Sequence, residues 1–430
     1  MRDILITLIV FGSLPFILRR PFFGVMMWTW LGLMNPHRMA WGFSMNLPFA
    51  FIVFLTTVFA YAISREPKRL PISREIVVLL IFLSWMFITT LNAPFQDAAW
   101  EQWDKVWKIQ LGVLLTLMLT TSMARVHLLV WTIGVSLGFY GFKGGIWTIL
   151  KGGSNRVYGP DNTFIGGNNE IGLALVMTAP LLWYLALHTE NRKVKLCLYA
   201  GAGLSVIAAI GTHSRGALLG IFVMGLMMFL KAKNKIMPLI MAGLFAVTLP
   251  FIVPQEWFDR MHTIETYEED QSATNRIKAW KKSIDIANQR IVGGGYEFIS
   301  LTNGVDCHSI YFEVLSEHGW IGLVLFLTLG LMTWSKCARI RKMARKRPEL
   351  AQARDLASMI QVSLAGYATS GAFLGLAYFD FLYVLVVVVV VLYSIVVRDV
   401  AALDARPAAP PGREGDQAGL PTLQQPGFSR

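Results

Sequence analysis

The side chain best suited to proton transfer lies just before an apolar segment late in the chain. His308 is followed directly by Ser309, and nine residues separate Ser309 from Gly319. Imidazole titrates near neutral pH, so His308 can accept the proton of a hydroxyl group as that group attacks. His318 comes ten residues later, where packing is the commoner role of a histidine. A lone histidine is usually structural, so a catalytic role for His308 requires partners from elsewhere in the chain.

Arginines in three other stretches are the candidate partners. Arg215 follows a tight turn at 211–214 between two apolar segments, and Arg156 lies near Tyr158 in a stretch with Gly and Pro. Guanidinium groups bind phosphate oxygens in pairs, which suits a pyrophosphate anchored in the bilayer by a lipid. If these groups converge, they predict the displacement of a lipid pyrophosphate by a hydroxyl. The predicted cations are Arg156, Arg215, Arg276 and Arg260.

The elements that must position these groups include one amphipathic helix, predicted over 272–290. Its apolar residues recur at steps of four and three, and Ser272 is a suitable N-cap. Three consecutive glycines at 293–295 then end the helix. The apolar positions are Ala273, Ile277, Trp280, Ile284 and Ala287.

Composition indicates that the rest of the chain is membrane-embedded. Of 430 residues, 54% are hydrophobic and only 15% are charged, which is too apolar for a soluble globular protein. We predict an all-α polytopic membrane protein with about 12 transmembrane helices. The apolar segments are 4–18, 22–35, 47–63, 76–92, 106–121, 126–150, 170–187, 196–212, 216–230, 236–253, 318–335, 357–377 and 381–397.

The positions of Lys and Arg in short connections predict the orientation. Basic connections stay cytoplasmic, and in a bacterium the opposite face is the periplasm. A large periplasmic loop is therefore predicted at 254–317, and both termini are expected in the cytoplasm, although the first hairpin could cross once or twice. A Pro- and Gly-rich cytoplasmic tail at 401–430 is predicted to be disordered. The basic connections are 65–74, 125, 192–195, 231–235 and 336–347.

The net charge of +12 does not indicate nucleic-acid binding, because most of the excess lies in the basic connections. The stretch 254–307 holds six Lys/Arg against nine Asp/Glu. Its acidic run 265–270 is interpreted as solvated surface. The three cysteines form no CxxC pair and no zinc pattern, so neither a metal site nor a cofactor is predicted.

The stretch around His308 resembles the signature of the O-antigen ligases, within the O-antigen polymerase and ligase superfamily. That signature is His, then Asn, Ser or Gln, nine residues, Gly, two residues, and Gly, Thr or Tyr. Here the fixed positions are His308, Ser309, Gly319 and Gly322. The resemblance covers most of 20–400, so 1–400 is predicted to be one transmembrane ligase domain. Segments 19–21 and 35–38 look like a subgroup of O-glycosylation ligases associated with exosortase systems.

The resemblance implies a helical fold of the glycosyltransferase C type. It also implies transfer of a glycan, en bloc, from undecaprenyl pyrophosphate to a hydroxyl of the lipid A–core oligosaccharide in the periplasm, with inversion and without metal. His308 would be the general base, and Arg215 and Arg276 would bind the leaving pyrophosphate. The residues predicted to bind pyrophosphate or acceptor are Arg156, Tyr158, Arg260, Ser309 and His318.

Other functions stay open at this stage. A glycan polymerase and a protein O-oligosaccharyltransferase share the donor and differ in the acceptor, which the sequence does not reveal. A transporter for a polyprenyl-linked glycan would be expected to carry ionisable residues within its spans. Most charge here lies in loops, with Asp380 near an interface, so transport is the weaker hypothesis.

Overall fold

The computed structural model describes residues 1–232, 235 and 271–405, and within them the chain is helical with no strand. Fourteen α-helices occur in these residues. They are α1 (Arg2–Arg19), α2 (Pro21–Met34), α3 (Phe49–Ile63), α4 (Arg74–Leu91), α5 (Gln96–Leu119), α6 (Met123–Leu150), α7 (Asn168–Leu187), α8 (Arg192–Gly211), α9 (Arg215–Lys231), α10 (Gln271–Gln289), α11 (Phe298–Asn303), α12 (Ile310–Met343), α13 (Ala351–Ser370) and α14 (Asp380–Asp404).

Six of the described helices are long and apolar enough to cross a membrane: α4, α6, α7, α8, α12 and α14. Two shorter apolar helices, α2 and α3, accompany them. The prediction of an all-helical polytopic membrane protein is confirmed at this level. The number of spans stays a prediction, and the predicted segment 236–253 lies outside the described residues.

Helices α7 and α14 form the centre of the bundle. The side chains of α14 from Phe381 to Leu392 are all buried, and α7 is buried on every face over most of its length. A helix that is apolar all round is stable only when other helices surround it. Helices α2, α5, α6, α12 and α13 pack around α14, and α6, α8, α9 and α13 pack around α7. The two helices therefore set the positions of their neighbours.

The starts of α7, α9 and α12 lie at one end of the bundle, which we call the upper end, and the opposite end is the lower end. Asn168 in α7 donates its side-chain N–H to the carbonyl of Thr212, just before α9. Tyr311 at the start of α12 donates to the carbonyl of Ala368, near the end of α13, whose last turn packs against α9. These contacts bring all three helix starts together.

The described residues of all five basic connections lie at the lower end, as their common sidedness predicted. Arg125, which begins α6, forms an ion pair with Glu66 after α3, and Arg347 after α12 forms one with Asp404 at the end of α14. Helix α8 begins at this end and α9 finishes there. That this end faces the cytoplasm stays a prediction.

The start of α1 and the end of α14 lie at opposite ends of the bundle, so the described residues differ from the expectation that both termini lie on one face. The Asp3 carboxylate accepts hydrogen bonds from the backbone N–H of Gly42 (3.1 Å) and from the hydroxyl of Ser44 (2.8 Å). That loop precedes α3, whose far end leads to Glu66, so the start of α1 lies at the upper end. Helix α14 ends at the lower end with Asp404, four residues into the predicted tail. Residues 406–430 lie outside the described residues.

Candidate functional site

The loop after α6 packs against the turn that leads into α9. The backbone N–H of Val157 donates to the carbonyl of Gly211 (2.9 Å), and a ring nitrogen of His213 lies 2.8 Å from the carbonyl oxygen of Gly153. Arg156 is the chain neighbour of Val157, and Arg215 begins α9 directly after the turn. Two of the predicted cations therefore belong to segments in direct contact at the upper end.

Arg215 is placed where an anion is favoured. It is the first residue of α9, and the hydroxyl of Ser214 caps the helix by accepting from the N–H of Ala217 (3.2 Å). Backbone N–H groups give a helix N-terminus partial positive charge, and no acidic residue occupies the first turn of α9. The guanidinium of Arg215 adds to this positive potential, so the start of α9 attracts negative charge.

His308 lies in the loop between α11 and α12, in a left-handed backbone conformation with φ of 46°. The Asp306 carboxylate lies in the same loop: Oδ1 accepts from the N–H of Cys307 (2.6 Å), and Oδ2 lies 3.9 Å from Nδ1 of His308. Glu170, in the first turn of α7, interacts electrostatically with both His308 and Asp306. The loop therefore faces the start of α7.

Ser309 serves the structure of the same loop. It is the N-cap residue of α12 and is 1% exposed, and its hydroxyl has no hydrogen-bond partner among the described residues. Ser309 is thus buried, and the structure does not bring its hydroxyl to the surface that a substrate would reach.

The predicted amphipathic helix is present as α10, and it holds the His308 loop from outside. Trp280 donates its indole N–H to the carbonyl of Cys307 (2.9 Å), and its ring stacks on Phe312 with centroids 4.8 Å apart. Burial raises the pKa of the Cys307 thiol to about 12, so this cysteine stays protonated. Arg276 is half-buried and lies one turn before Trp280 on the same face of α10, which directs it toward this loop.

Helix α12 is interrupted at Gly319, which adopts φ of 65° and ψ of −171°. Three carbonyls next to the break each accept a donor from another segment of the chain. The bonds are Gly294 N–H to Ser316 O (2.7 Å), Gly295 N–H to Glu317 O (2.9 Å) and Trp85 Nε1–H to His318 O (2.8 Å).

Gly293 and Gly319 are required by this close contact, and Gly322 by the packing within α12. A Cβ on Gly319 would lie 2.3 Å from the carbonyl oxygen of Ile291, and one on Gly293 would lie 2.6 Å from the nitrogen of Gly319. A Cβ on Gly322 would lie 2.3 Å from Cβ of His318. Real Cβ atoms do not tolerate such distances, so these glycines build the upper end of α12.

His318 is a packed structural residue in this arrangement. It is fully buried, with Nδ1 2.7 Å from the hydroxyl of Thr89 and Nε2 2.9 Å from the hydroxyl of Tyr378. The rings of Phe82 and Tyr296 contact it edge-on. Both ring nitrogens are occupied, so the structure does not bring His318 to the surface that a substrate would reach.

Two glutamates one helical turn apart join α12 to neighbouring loops. Glu313 accepts the N–H of Ala377 (3.0 Å), and Glu317 accepts the N–H of Glu297 (2.9 Å) and the hydroxyl of Tyr378. Burial raises the pKa of Tyr378 well above that of a free phenol, so this hydroxyl remains a donor. Within the described ranges, no three His, Cys, Asp or Glu side chains are arranged to hold a metal ion.

The structure thus brings the loops of Arg156, Arg215 and His308 together at the upper end, with Arg276 on the helix that covers them. Tyr158 is an exposed side chain of the Arg156 loop, and Arg260 lies outside the described residues. The sequence interpretation missed the acidic members of the site. The missed residues are Glu170, Asp306, Glu313 and Glu317.

Two segments of the chain match known family models. Residues 200–327 match a model described as O-antigen ligase, and residues 1–190 match a family of unknown function, DUF5935. No curated protein matches the chain at a significant level. The first segment includes Arg215 and His308, whereas Arg156 and Glu170 lie in the second. The subgroup suggested by the N-terminal segments stays a prediction.

Proposed function

Since residues 200–327 match the O-antigen ligase model, the chain belongs to the O-antigen ligase family, and we propose that it transfers a lipid-linked glycan to a hydroxyl acceptor. The match supports, at this general level, an enzyme of the ligase or polymerase type. The apolar helices together with this segment indicate an integral membrane protein. The donor, the acceptor and the mechanism below are our proposal.

One observation supports the proposal most strongly: a potential base and an anion-attracting helix start share the upper end of the bundle. The His308 loop and the start of α9 both contact the last turns of α13, through Tyr311 in one case and Gly216 in the other. Glycan transfer from a lipid pyrophosphate needs these two functions side by side, because a hydroxyl must lose a proton while pyrophosphate departs.

In the proposed reaction the acceptor oxygen attacks the anomeric carbon of the glycan from the face opposite the leaving group. The new carbon–oxygen bond forms as the bond to pyrophosphate breaks, and the configuration inverts. His308 takes the hydroxyl proton, while Asp306 orients the imidazole. Arg215 and Arg276 stabilise the charge that develops on the undecaprenyl pyrophosphate as it leaves. No metal ion is required, because the guanidinium groups supply the positive charge.

The proposed acceptor is a hydroxyl of the lipid A–core oligosaccharide on the periplasmic side of the bacterial inner membrane. Deletion of the gene should leave glycan on its lipid carrier while lipid A–core without glycan accumulates on gels. An unchanged lipopolysaccharide ladder in a strain without a second ligase contradicts this acceptor. Loss of glycan from a protein instead would identify a protein O-oligosaccharyltransferase.

The proposed roles predict that His308→Ala and Arg215→Ala each reduce transfer by at least about 100-fold. Both variants should reach the membrane at the wild-type level, which immunoblotting of membrane fractions checks. Lys278→Ala is the matched control, because Lys278 is an exposed cation on α10 and should retain activity. Full complementation by either site variant would remove that residue from the mechanism.

A further inference from the structure

Two cationic side chains meet at the lower end of the bundle, at the far side of the molecule from His308. Nζ of Lys231, the last residue of α9, donates to Oε1 of Gln361 in α13 (2.7 Å). Nη1 of Arg341 in α12 donates to the same oxygen (2.9 Å). Gln361 is 2% exposed and is held by the bond from its Nε2 to the carbonyl of Trp334 (3.1 Å). Both cations are half-buried.

Neither cation has an acidic partner within 4.0 Å among the described residues, in contrast to two other cations at this end. Lys336, on α12 with Arg341, is paired with Glu75. Arg347, which follows the end of α12, is paired with Asp404. The sequence from 232 to 255, which follows Lys231, contains no Asp or Glu at all. Among the described residues, Lys231 and Arg341 thus place two positive charges on one neutral side-chain oxygen, and Lys231 donates in addition to the carbonyl of Ser358 (3.3 Å).

This arrangement is electrostatically incomplete. A neutral amide oxygen offers a partial charge, whereas two cations that share it repel one another in a partly desolvated place. An anion with several oxygens would accept from both cations and remove the repulsion. Phosphate oxygens fit a guanidinium and an ammonium at once.

The surroundings of the pair favour a lipid as the source of that phosphate. Arg215 and Lys231 are the two ends of α9, so the pair lies about 24 Å along the helix from the upper end, near the far edge of the hydrocarbon layer. Large apolar side chains are exposed on α9 beside it, with Leu226 at 46% and Leu230 at 64% exposure. Acyl chains would cover these side chains while the headgroup reaches the cations.

We propose that Lys231 and Arg341 bind the phosphate of an anionic phospholipid in the leaflet at the lower end. Basic pockets between helices at the cytoplasmic side of membrane proteins are suited to such headgroups. The lipid would join α9, α12 and α13 at the end opposite the candidate site. It would thereby stabilise the relative positions of these three helices. At the upper end, Arg215 begins α9, His308 precedes α12, and the last turn of α13 packs against α9.

The test measures the thermal stability of the purified full-length protein in a neutral detergent. Adding phosphatidylglycerol at about ten times its dissociation constant should raise Tm by roughly 1–2 °C relative to phosphatidylcholine. The double variant Lys231→Gln/Arg341→Gln should lose this increase. Because that variant could be poorly folded, Lys231→Arg/Arg341→Lys is measured beside it and should keep the response.

Two comparisons make the result decisive. The double variant Arg339→Gln/Lys342→Gln removes two exposed cations of the same helix and should respond like the wild type; an equal loss there overturns the proposal in favour of general surface charge. Inorganic phosphate alone should give no increase, and an increase equal to that of the lipid would overturn the lipid as the source. Native mass spectrometry should count one phosphatidylglycerol fewer on the Gln double variant, and an unchanged count also contradicts the proposal.

Discussion

The Asp306 carboxylate lies 3.9 Å from Nδ1 of His308, in the loop that carries the histidine. A base works only when its ring is directed at the reacting proton, and a carboxylate beside the other ring nitrogen provides that orientation. Asp306 is therefore a positioning residue in the proposed mechanism, since it acts on the substrate through His308. Its position two residues before the signature made it inconspicuous in the sequence.

Replacing Asp306→Asn should lower the rate of glycan transfer roughly tenfold or more, because the amide keeps the size of the side chain and loses its charge. An in vitro assay with lipid-linked donor and purified acceptor measures the change, and Asp306→Glu should recover part of the rate. Asp285→Asn, an exposed carboxylate on α10, is the control and should be fully active. Wild-type rates for Asp306→Asn would exclude the orienting role.

The two histidines of the signature region should differ in what they support. His318→Ala should lower the free energy of unfolding by about 2–4 kcal/mol, because it leaves a cavity and removes the partners of Thr89 and Tyr378. His308→Ala should change it by less than about 1 kcal/mol, since His308 is half-exposed. Thermal unfolding in detergent measures both. A stable His318→Ala protein without transfer activity would return His318 to the list of substrate-contacting residues.

Predictability at this scale depended on sequence spacing. His308 and Arg215 could be predicted as candidates because a fixed motif and a tight turn mark them. Glu313 and Glu317 looked like loop residues, because charge beside an apolar segment usually means solvent. Their partners are backbone N–H groups and a tyrosine from other segments, which no local pattern reveals.

The break in α12 is the element on which the site depends. The nine residues from Ile310 to His318 form a separate upper part of the helix, whereas the sequence interpretation began the span at 318. Its apolar positions Ile310 and Val314 do have helical spacing. The interruption at Gly319 concealed this part, since glycine with flanking charges also indicates a loop.

The variant Gly319→Ala should destabilise the protein by about 3 kcal/mol and lower transfer, because φ of 65° with ψ of −171° is almost exclusive to glycine and a Cβ meets Ile291. Gly304→Ala is the matched control: its φ is also positive, at 69°, but a Cβ there meets no atom within 4 Å. We expect a loss of about 1 kcal/mol for the control. Equal unfolding midpoints for the two variants would show that the close contact at the break is unimportant.

Most of the helices were predicted from apolar length, and the amphipathic helix from its period. Helix α10 begins and ends within one residue of the predicted 272–290. The segment before α14 was harder to predict. The α-helix in the predicted span 357–377 ends at Ser370, a 3-10 turn follows over Gly371–Phe373, and the chain is irregular from there to Phe379. That segment is held by Glu313 and Glu317, so its path is decided by tertiary contacts.

For the molecule as a whole, the direction of α1 decides the topology. Asp3 lies at the upper end with Ser44, whereas Asp404 lies at the lower end with Arg347. The sequence left the crossing of the first hairpin open, because α2 has only 14 residues and the Pro21 hinge suits either arrangement. The contacts across the hairpin, and not its length, place the two ends of the described chain on opposite sides.

Impermeant thiol labelling of intact cells tests this topology. With the three native cysteines replaced, single cysteines at Arg2 and Ser154 should be labelled from the outside, since both positions are exposed at the upper end. A cysteine at Lys68, exposed in a lower connection, should be labelled only after the membrane is permeabilised. Protection of the cysteine at Arg2 together with that at Lys68 would contradict the assigned direction of α1.

The central position of α14 has a consequence for how the protein is made. This helix is the last of the described helices to leave the ribosome, and its buried face is the whole of its surface from Phe381 to Leu392. The helices inserted earlier therefore lack the helix around which they pack until translation is almost complete. A chain stopped shortly before Asp380 would retain every candidate site residue of the described part and still lack the helix around which its walls close.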